Sequence, residues 1–82
     1  MNNDISTILK DLTVIFRDVL ESDKIVLTEL TTANEIADWD SVNHLILLHA
    51  IEEHYKIKFE LGEIINFRSV GDICLSISNK PL

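Results

Sequence analysis

The 82-residue sequence contains few residues that cross-link a chain or interrupt a helix: one cysteine, one proline and two glycines. The single cysteine, Cys74, excludes an internal disulfide, and no paired cysteine and histidine motif suggests structural zinc. Proline occurs only at position 81, so no proline breaks the helical patterns before it. This scarcity favours helices that are joined by ordered polar loops. Cys74 falls on the apolar side of a predicted helix, where it is expected to be a small buried hydrophobe.

Long hydrophobic runs are also missing. The longest aliphatic run, from Leu45 to Leu48, is far below the roughly 20 residues that a membrane-spanning helix needs. The first residues, from Met1 to Asp4, are polar and acidic, unlike the basic start of a secretory signal. We therefore expect a cytoplasmic protein without membrane association.

Basic residues are outnumbered, with 7 Lys and Arg against 14 Asp and Glu, which gives a formal net charge of −7. Between Asp18 and Asp40, seven acidic residues stand against Lys24 as the one basic residue. A chain of this charge repels phosphate backbones, so nucleic-acid binding is disfavoured, and so are anionic membranes. Basic protein partners are favoured. The short chain predicts one domain over residues 1–82, monomeric, with too little volume for an enzyme's active-site cavity.

Apolar residues recur at helical spacing and predict the helices. Ile5, Ile8, Leu12 and Phe16 belong to one such face, which predicts a helix over about 4–20. Asp40 is a favoured N-cap for a second helix over 41–56. A short third helix is predicted over about 61–67. A capping box at 69–72 predicts the start of a fourth helix over about 69–79. Residues 25–27 suit a short strand by propensity, but no second strand is available to pair with it. The predicted fold is therefore all-α, a small irregular four-helix bundle with a long loop over 21–40.

The helix over 41–56 is apolar on two sides. Leu47, Leu48, Ile51 and Tyr55 share the side expected to face the core. Val42, Leu45 and Ile46 gather roughly opposite, with His49 and Glu53 beside them. Glu52 and Glu53 give this side an acidic edge. Two interpretations are open: the long loop covers the second side, or that side is a docking surface for other proteins with an acidic edge.

Ser41 lies at the first turn of this helix, on the border between the two sides. Its hydroxyl is expected to be exposed on a rigid element. The unpaired amides and the positive end of the helix dipole would stabilise a phosphate attached at that hydroxyl. The alternative is that Ser41 is an ordinary polar residue near a helix start.

Catalytic and metal sites are disfavoured. Ser41 and His44 are one turn apart, but no nucleophile elbow or glycine-rich oxyanion hole accompanies them. His44, His49 and His54 are five residues apart, so they point about 140° apart on a helix and cannot share one metal ion. We expect no metal site.

With these residues in view, the sequence resembles the acyl carrier proteins. The triplet Asp40-Ser41-Val42 matches the family's Asp-Ser-Leu signature. The match continues through Leu45, Leu48, Ile51-Glu52-Glu53 and Tyr55, the extended segment Ile57-Lys58-Phe59, then Glu63 and Val70-Gly71-Asp72-Ile73. It departs from the family pattern at Asp38, Trp39 and Val42. Ile46, His49 and His54 make the second helix more apolar and less acidic than in carriers of fatty-acid synthesis.

The resemblance implies that Ser41 carries covalent 4′-phosphopantetheine, transferred from coenzyme A by a phosphopantetheinyl transferase. It implies that Asp40 helps that transferase to hold its metal or orient the serine. Acyl groups would then be held as thioesters and presented to acyl-loading and acyl-processing enzymes of fatty-acid, polyketide or related biosynthesis. The residues expected to contact these partners are Val42, Leu45, Ile46, His49, Glu52 and Glu53. Two alternatives stay open: a carrier of aminoacyl or peptidyl groups such as D-alanine, and an unmodified helical interaction module.

Overall fold

The computed structural model of the protein describes residues 4–80. Its four α-helices are α1 (Ile5–Val19), α2 (Ser41–Tyr55), α3 (Leu61–Asn66) and α4 (Val70–Ser78). Each end lies within one residue of the predicted bound, and the described residues form no strand, which confirms the all-helical prediction. A short 3-10 helix, Ala33–Glu35, interrupts the segment predicted as a loop. Within residues 4–80, no helix has the length and apolar character needed to cross a membrane.

The core lies where α1 packs against α2 and α4. Its helical side chains are Ile8, Leu12 and Phe16 of α1, Leu47, Leu48 and Ile51 of α2, and Val70, Ile73, Cys74 and Ile77 of α4. Cys74 is fully buried, as predicted, and its burial raises the pKa of the thiol to about 11. The thiol is therefore protonated at neutral pH and shielded from solvent.

The segment between α1 and α2 is attached to the first turn of α4. The amides of Val70 and Gly71 donate to the carbonyls of Thr31 and Glu29, each at 2.8 Å. These amides belong to the group that a helix start leaves unpaired, so the loop satisfies donors that α4 cannot satisfy itself. Leu27, which is buried, anchors the same segment in the core.

The predicted capping box at the start of α4 is present. The Ser69 hydroxyl accepts from the Asp72 amide, and the Asp72 carboxylate accepts from the Ser69 amide, both at 3.3 Å. A second cap closes the far end of α2, where Lys56 takes a left-handed conformation with φ of 59°. There the Glu52 carboxylate accepts from the Phe59 amide at 2.8 Å, so this side chain guides the chain toward α3.

The short helix α3 is fastened to α4 through Glu63. The Glu63 carboxylate accepts from the Glu60 amide at 2.8 Å, from the Ser76 hydroxyl, and from Lys80 Nζ at 2.9 and 3.2 Å. The bond from the Glu60 amide, followed by those from Ser76 and Lys80, lowers the pKa of Glu63 to about 2. These contacts fix the position of α3 against α4.

The lowered pKa of Glu63 predicts a pH-dependent contribution to stability. Ionised Glu63 stabilises the fold fully above its ordinary pKa of 4.5, and this stabilisation is lost as pH falls toward 2. We expect Glu63→Gln to lower the free energy of unfolding by about 1–2 kcal/mol near neutral pH, with a smaller loss near pH 3. Chemical denaturation at both pH values measures it. Glu53→Gln, at an exposed position of α2, is the control; a deficit for Glu63→Gln that does not change with pH would contradict the role.

The two glycines make a matched pair for testing how closely the loop approaches α4. A Cβ at Gly71 would lie 2.7 Å from the Glu29 carbonyl oxygen, whereas a Cβ at Gly62 meets nothing within 4 Å. We expect Gly71→Ala to lower the free energy of unfolding by about 1–3 kcal/mol because it displaces the loop. Gly62→Ala should raise that free energy by about 0.5–1 kcal/mol through helix propensity. Equal effects in chemical denaturation would contradict the close approach.

Candidate functional site

The start of α2 is held in place by two side chains. Asp40 is its N-cap, and Asp40 Oδ1 accepts from the Asn43 amide at 2.8 Å, as the sequence predicts for this cap. The Asn43 side chain in turn donates from Nδ2 to the Asp38 carbonyl at 2.7 Å. These two bonds fix the backbone from Asp38 to Asn43, where the chain enters α2. Ser41 lies within this segment and therefore has a rigid support.

Ser41 is the first residue of α2, and its side chain is exposed. Its hydroxyl makes no hydrogen bond with residues 4–80, and the amides of Ser41 and Val42 likewise find no acceptor there. An exposed nucleophilic oxygen therefore stands beside two free N–H donors at the positive end of a helix dipole. Such an arrangement stabilises an attached phosphate.

A series of aromatic rings lines the chain behind Ser41. Trp39, which is buried, meets Phe16 edge to face, with ring centroids 5.0 Å apart. Its indole Nε1 donates to Nδ1 of His44 at 2.9 Å, and the two rings stack with centroids 5.9 Å apart. His44 in turn meets Phe67 edge to face at 6.5 Å. These contacts connect the core to the surface beside Ser41.

A groove of about 630 Å³ opens beside Ser41, between α2 and α3. The groove's lining from α2 is Ser41, His44 and Leu45, and its lining from the other side includes Ile64, Ile65, Phe67 and Arg68. Most of these side chains are apolar. Ser41 thus stands at the mouth of an apolar groove whose α3 wall is fixed through Glu63.

The second apolar side of α2 is exposed, so the loop does not cover it. The exposed fractions of Val42, Leu45 and Ile46 are 68%, 59% and 48%. The opposite row on the same helix, Leu47, Leu48 and Ile51, is buried, as the spacing predicts. The interpretation in which the loop covers this side is therefore wrong, because the loop packs against the first turn of α4 instead.

The remaining residues predicted on this surface differ in their surroundings. His49 and Glu53 are exposed, as expected of a surface pair. Glu52 is half-buried, because its carboxylate accepts from the Phe59 amide and closes the end of α2. His54 lies at the opposite end of α2, where its Nε2 is 3.7 Å from Asp11 Oδ2. The three histidines therefore lie in three different environments, as their five-residue spacing implies.

Two parts of the site are missing from the sequence-based picture. The bond between Trp39 and His44 joins residues on either side of the N-cap, and no local pattern signals it. The α3 wall of the groove depends on Ile64 and Ile65, whose only signal is an apolar pair in a short helix. Both features arise from tertiary packing.

Comparison with known proteins gives a clear structural match. The solution NMR structure of a holo acyl carrier protein from Geobacter metallireducens superposes with a TM-score of 0.83 and 49% sequence identity. The match covers 88% of this chain and 83% of that one. Neither a scan against protein-family models nor a search of curated proteins finds a match. Identity of this extent over most of both chains goes well beyond a shared fold, and it confirms the resemblance noted from the residues around Ser41. The chain belongs to the acyl carrier protein family.

Proposed function

We propose that the Ser41 hydroxyl is the attachment point of 4′-phosphopantetheine and that this protein carries acyl groups as thioesters. The observation that supports this most directly is the position of Ser41: exposed, unpaired, first in a capped helix and at the mouth of an apolar groove. Family membership gives the carrier role, and the local geometry supports Ser41 as the residue that bears the cofactor.

The residues around Ser41 suit the group that it would carry. The amides of Ser41 and Val42 have no acceptor within residues 4–80 and would be available to donate to a phosphodiester on the Ser41 oxygen. The groove beside Ser41 offers apolar surface for the part of the cargo that avoids water. When bound, phosphopantetheine supplies a thiol that holds acyl groups as thioesters.

Asp40 suits a role in the modification step. One oxygen of its carboxylate caps α2 through the Asn43 amide, and the other makes no hydrogen bond with residues 4–80. That second oxygen is free to ligate the metal of a phosphopantetheinyl transferase or to orient the Ser41 hydroxyl. The capping bond keeps the Asp40 carboxylate next to Ser41.

The exposed apolar side of α2 suits the enzymes that load and process the cargo. Val42, Leu45 and Ile46 offer apolar contact area, and His49, Glu52 and Glu53 lie along the edge of the same surface. Acidic residues close to Ser41 would steer basic partner surfaces toward the site, with weak and salt-sensitive binding that suits passing cargo onward.

A carrier role without catalysis agrees with the state of His44. A general base for Ser41 needs an unprotonated ring nitrogen directed at the hydroxyl. In neutral His44 the one unprotonated nitrogen, Nδ1, already accepts from the Trp39 indole. We therefore propose that Ser41 is a site of modification and not a nucleophile of a hydrolase.

The attachment site is tested by incorporation of labelled pantetheine from coenzyme A with a broad-specificity transferase. We expect Ser41→Ala to abolish labelling, with stability unchanged to within about 0.5 kcal/mol, since the hydroxyl makes no internal bond. Ser6→Ala, which changes an exposed serine in the first turn of α1, is the matched control and should label normally. Labelling of Ser41→Ala would move the attachment site elsewhere.

The docking surface is tested by placing charge on it. We expect Ile46→Glu to slow acyl transfer to a partner enzyme by about tenfold or more, because it adds a charge to an apolar contact. Leu75→Glu, at a similarly exposed leucine of α4, should leave transfer unchanged. Both variants should keep their melting temperature to within a few degrees. Equal transfer defects, or a large loss of stability for Ile46→Glu alone, would contradict a docking role.

A further inference from the structure

We propose that His44 makes this carrier selective for acyl groups that bear a carbonyl or hydroxyl oxygen along the chain, over fully saturated ones. The inference rests on the proposed function of Ser41, since it concerns the cargo attached there. The imidazole lines the groove one turn along α2 from Ser41. Its second ring nitrogen would offer a hydrogen-bond donor to a group seated there.

The proton on the His44 ring is located by its contact with Trp39. Trp39 Nε1 lies 2.9 Å from His44 Nδ1, and an indole N–H is a donor only. Nδ1 is therefore the accepting nitrogen and carries no proton in this bond. The single ring proton is then on Nε2, and His44 presents N–H as its second polar group.

Packing against two aromatic neighbours holds the His44 ring in one orientation. It stacks on Trp39 with an angle of 29° between the planes, and its other neighbour, Phe67, contacts it edge to face. Trp39 is itself fixed in the core against Phe16. A ring held on two sides keeps its donor in one place, which is what a selective contact requires.

The Nε2 donor has no partner within residues 4–80, and the groove that His44 lines is mostly apolar. The other polar lining groups, Asp40, Ser41 and Arg68, are exposed and can bond to water. A saturated chain that enters the groove would remove water from Nε2–H and leave the donor unpaired. A chain with a suitably placed oxygen would replace that water, so the site favours it.

The test compares three forms of the protein loaded at Ser41 through non-hydrolysable pantetheine analogues. One carries an octanoyl group, and two carry octanoyl groups with one keto oxygen, at the third or the fifth carbon. The intact mass of each form is measured first to verify that the analogue is attached. A failure to load counts against the proposed function and is thereby distinguished from a failure of the selectivity. NMR then follows the amides of Ile64 and Ile65, which report a seated chain, and the Nε2 proton of His44.

In the unsubstituted protein, we expect at least one keto chain to perturb the Ile64 and Ile65 amides more than octanoyl does. The same keto chain should slow exchange of the His44 Nε2 proton with water about tenfold. The contrary result is that all three loaded forms give the same Ile64 and Ile65 amide shifts and the same His44 Nε2 proton exchange rate as the unacylated arm. That result would overturn the inference and leave the proposed function standing.

Two substitutions distinguish loss of the Nε2 donor from a general disturbance of the structure. His44→Asn keeps an oxygen that can accept from Trp39 and removes the nitrogen at the Nε2 position, so the preference for the keto chain should disappear. His49→Asn, at an exposed position of the same helix, should retain the preference. A preference that survives in His44→Asn would assign the selectivity to another group and overturn the role of His44. The indole proton signal of Trp39 reports whether its bond persists in the variant.

Discussion

The buried row of α2, formed by Leu47, Leu48 and Ile51, fixes how this helix is rotated about its own axis. These side chains are at most 3% exposed and belong to the core in which α2 packs against α1. Because residues of a helix are 100° apart, the rotation that buries this row also decides the direction of every other side chain on α2. It leaves Ser41 at the groove and turns Val42 and Ile46 to solvent. The positions of the proposed attachment site and of the proposed docking surface are therefore consequences of core packing.

The start of α2 is fixed by a different set of contacts. Trp39 inserts into the core, Asp40 caps the helix, and the loop before them is fastened to α4 through Thr31 and Glu29. A serine on such a support can be presented to many enzymes in the same geometry. The groove's other wall depends on Glu63, whose bonds to Ser76 and Lys80 join the short α3 to α4. A six-residue helix has little stability of its own, so these bonds hold a wall that local propensity could not.

The sequence predicts the features that local patterns control. The spacing of apolar residues predicts the helices, and Asp40 and Ser69 predict the caps of α2 and α4. The two apolar sides of α2 indicate that a small core cannot bury both of them. The spacing alone left open whether the loop covers the second side; the answer depends on where the loop carbonyls find donors, and they find them on Val70 and Gly71. The bond between Trp39 and His44 was not predicted either, because it depends on how Trp39 is placed in the core. The contacts of Glu63 with Ser76 and Lys80 were missed because only tertiary packing brings these residues together. The role of Glu52 at the end of α2 was also missed, because the bond of its carboxylate to the Phe59 amide depends on how the chain turns after the helix.

The central claim is that core packing of α2 presents one serine as the tether of a mobile, thiol-bearing arm. It is tested most directly by peptide-level mass spectrometry of the protein isolated from its native host. The account predicts an added mass of about 340 Da on the peptide that contains Ser41, and on no peptide that contains another serine. An added mass located on a different residue, or its complete absence from natively produced protein, would contradict the account.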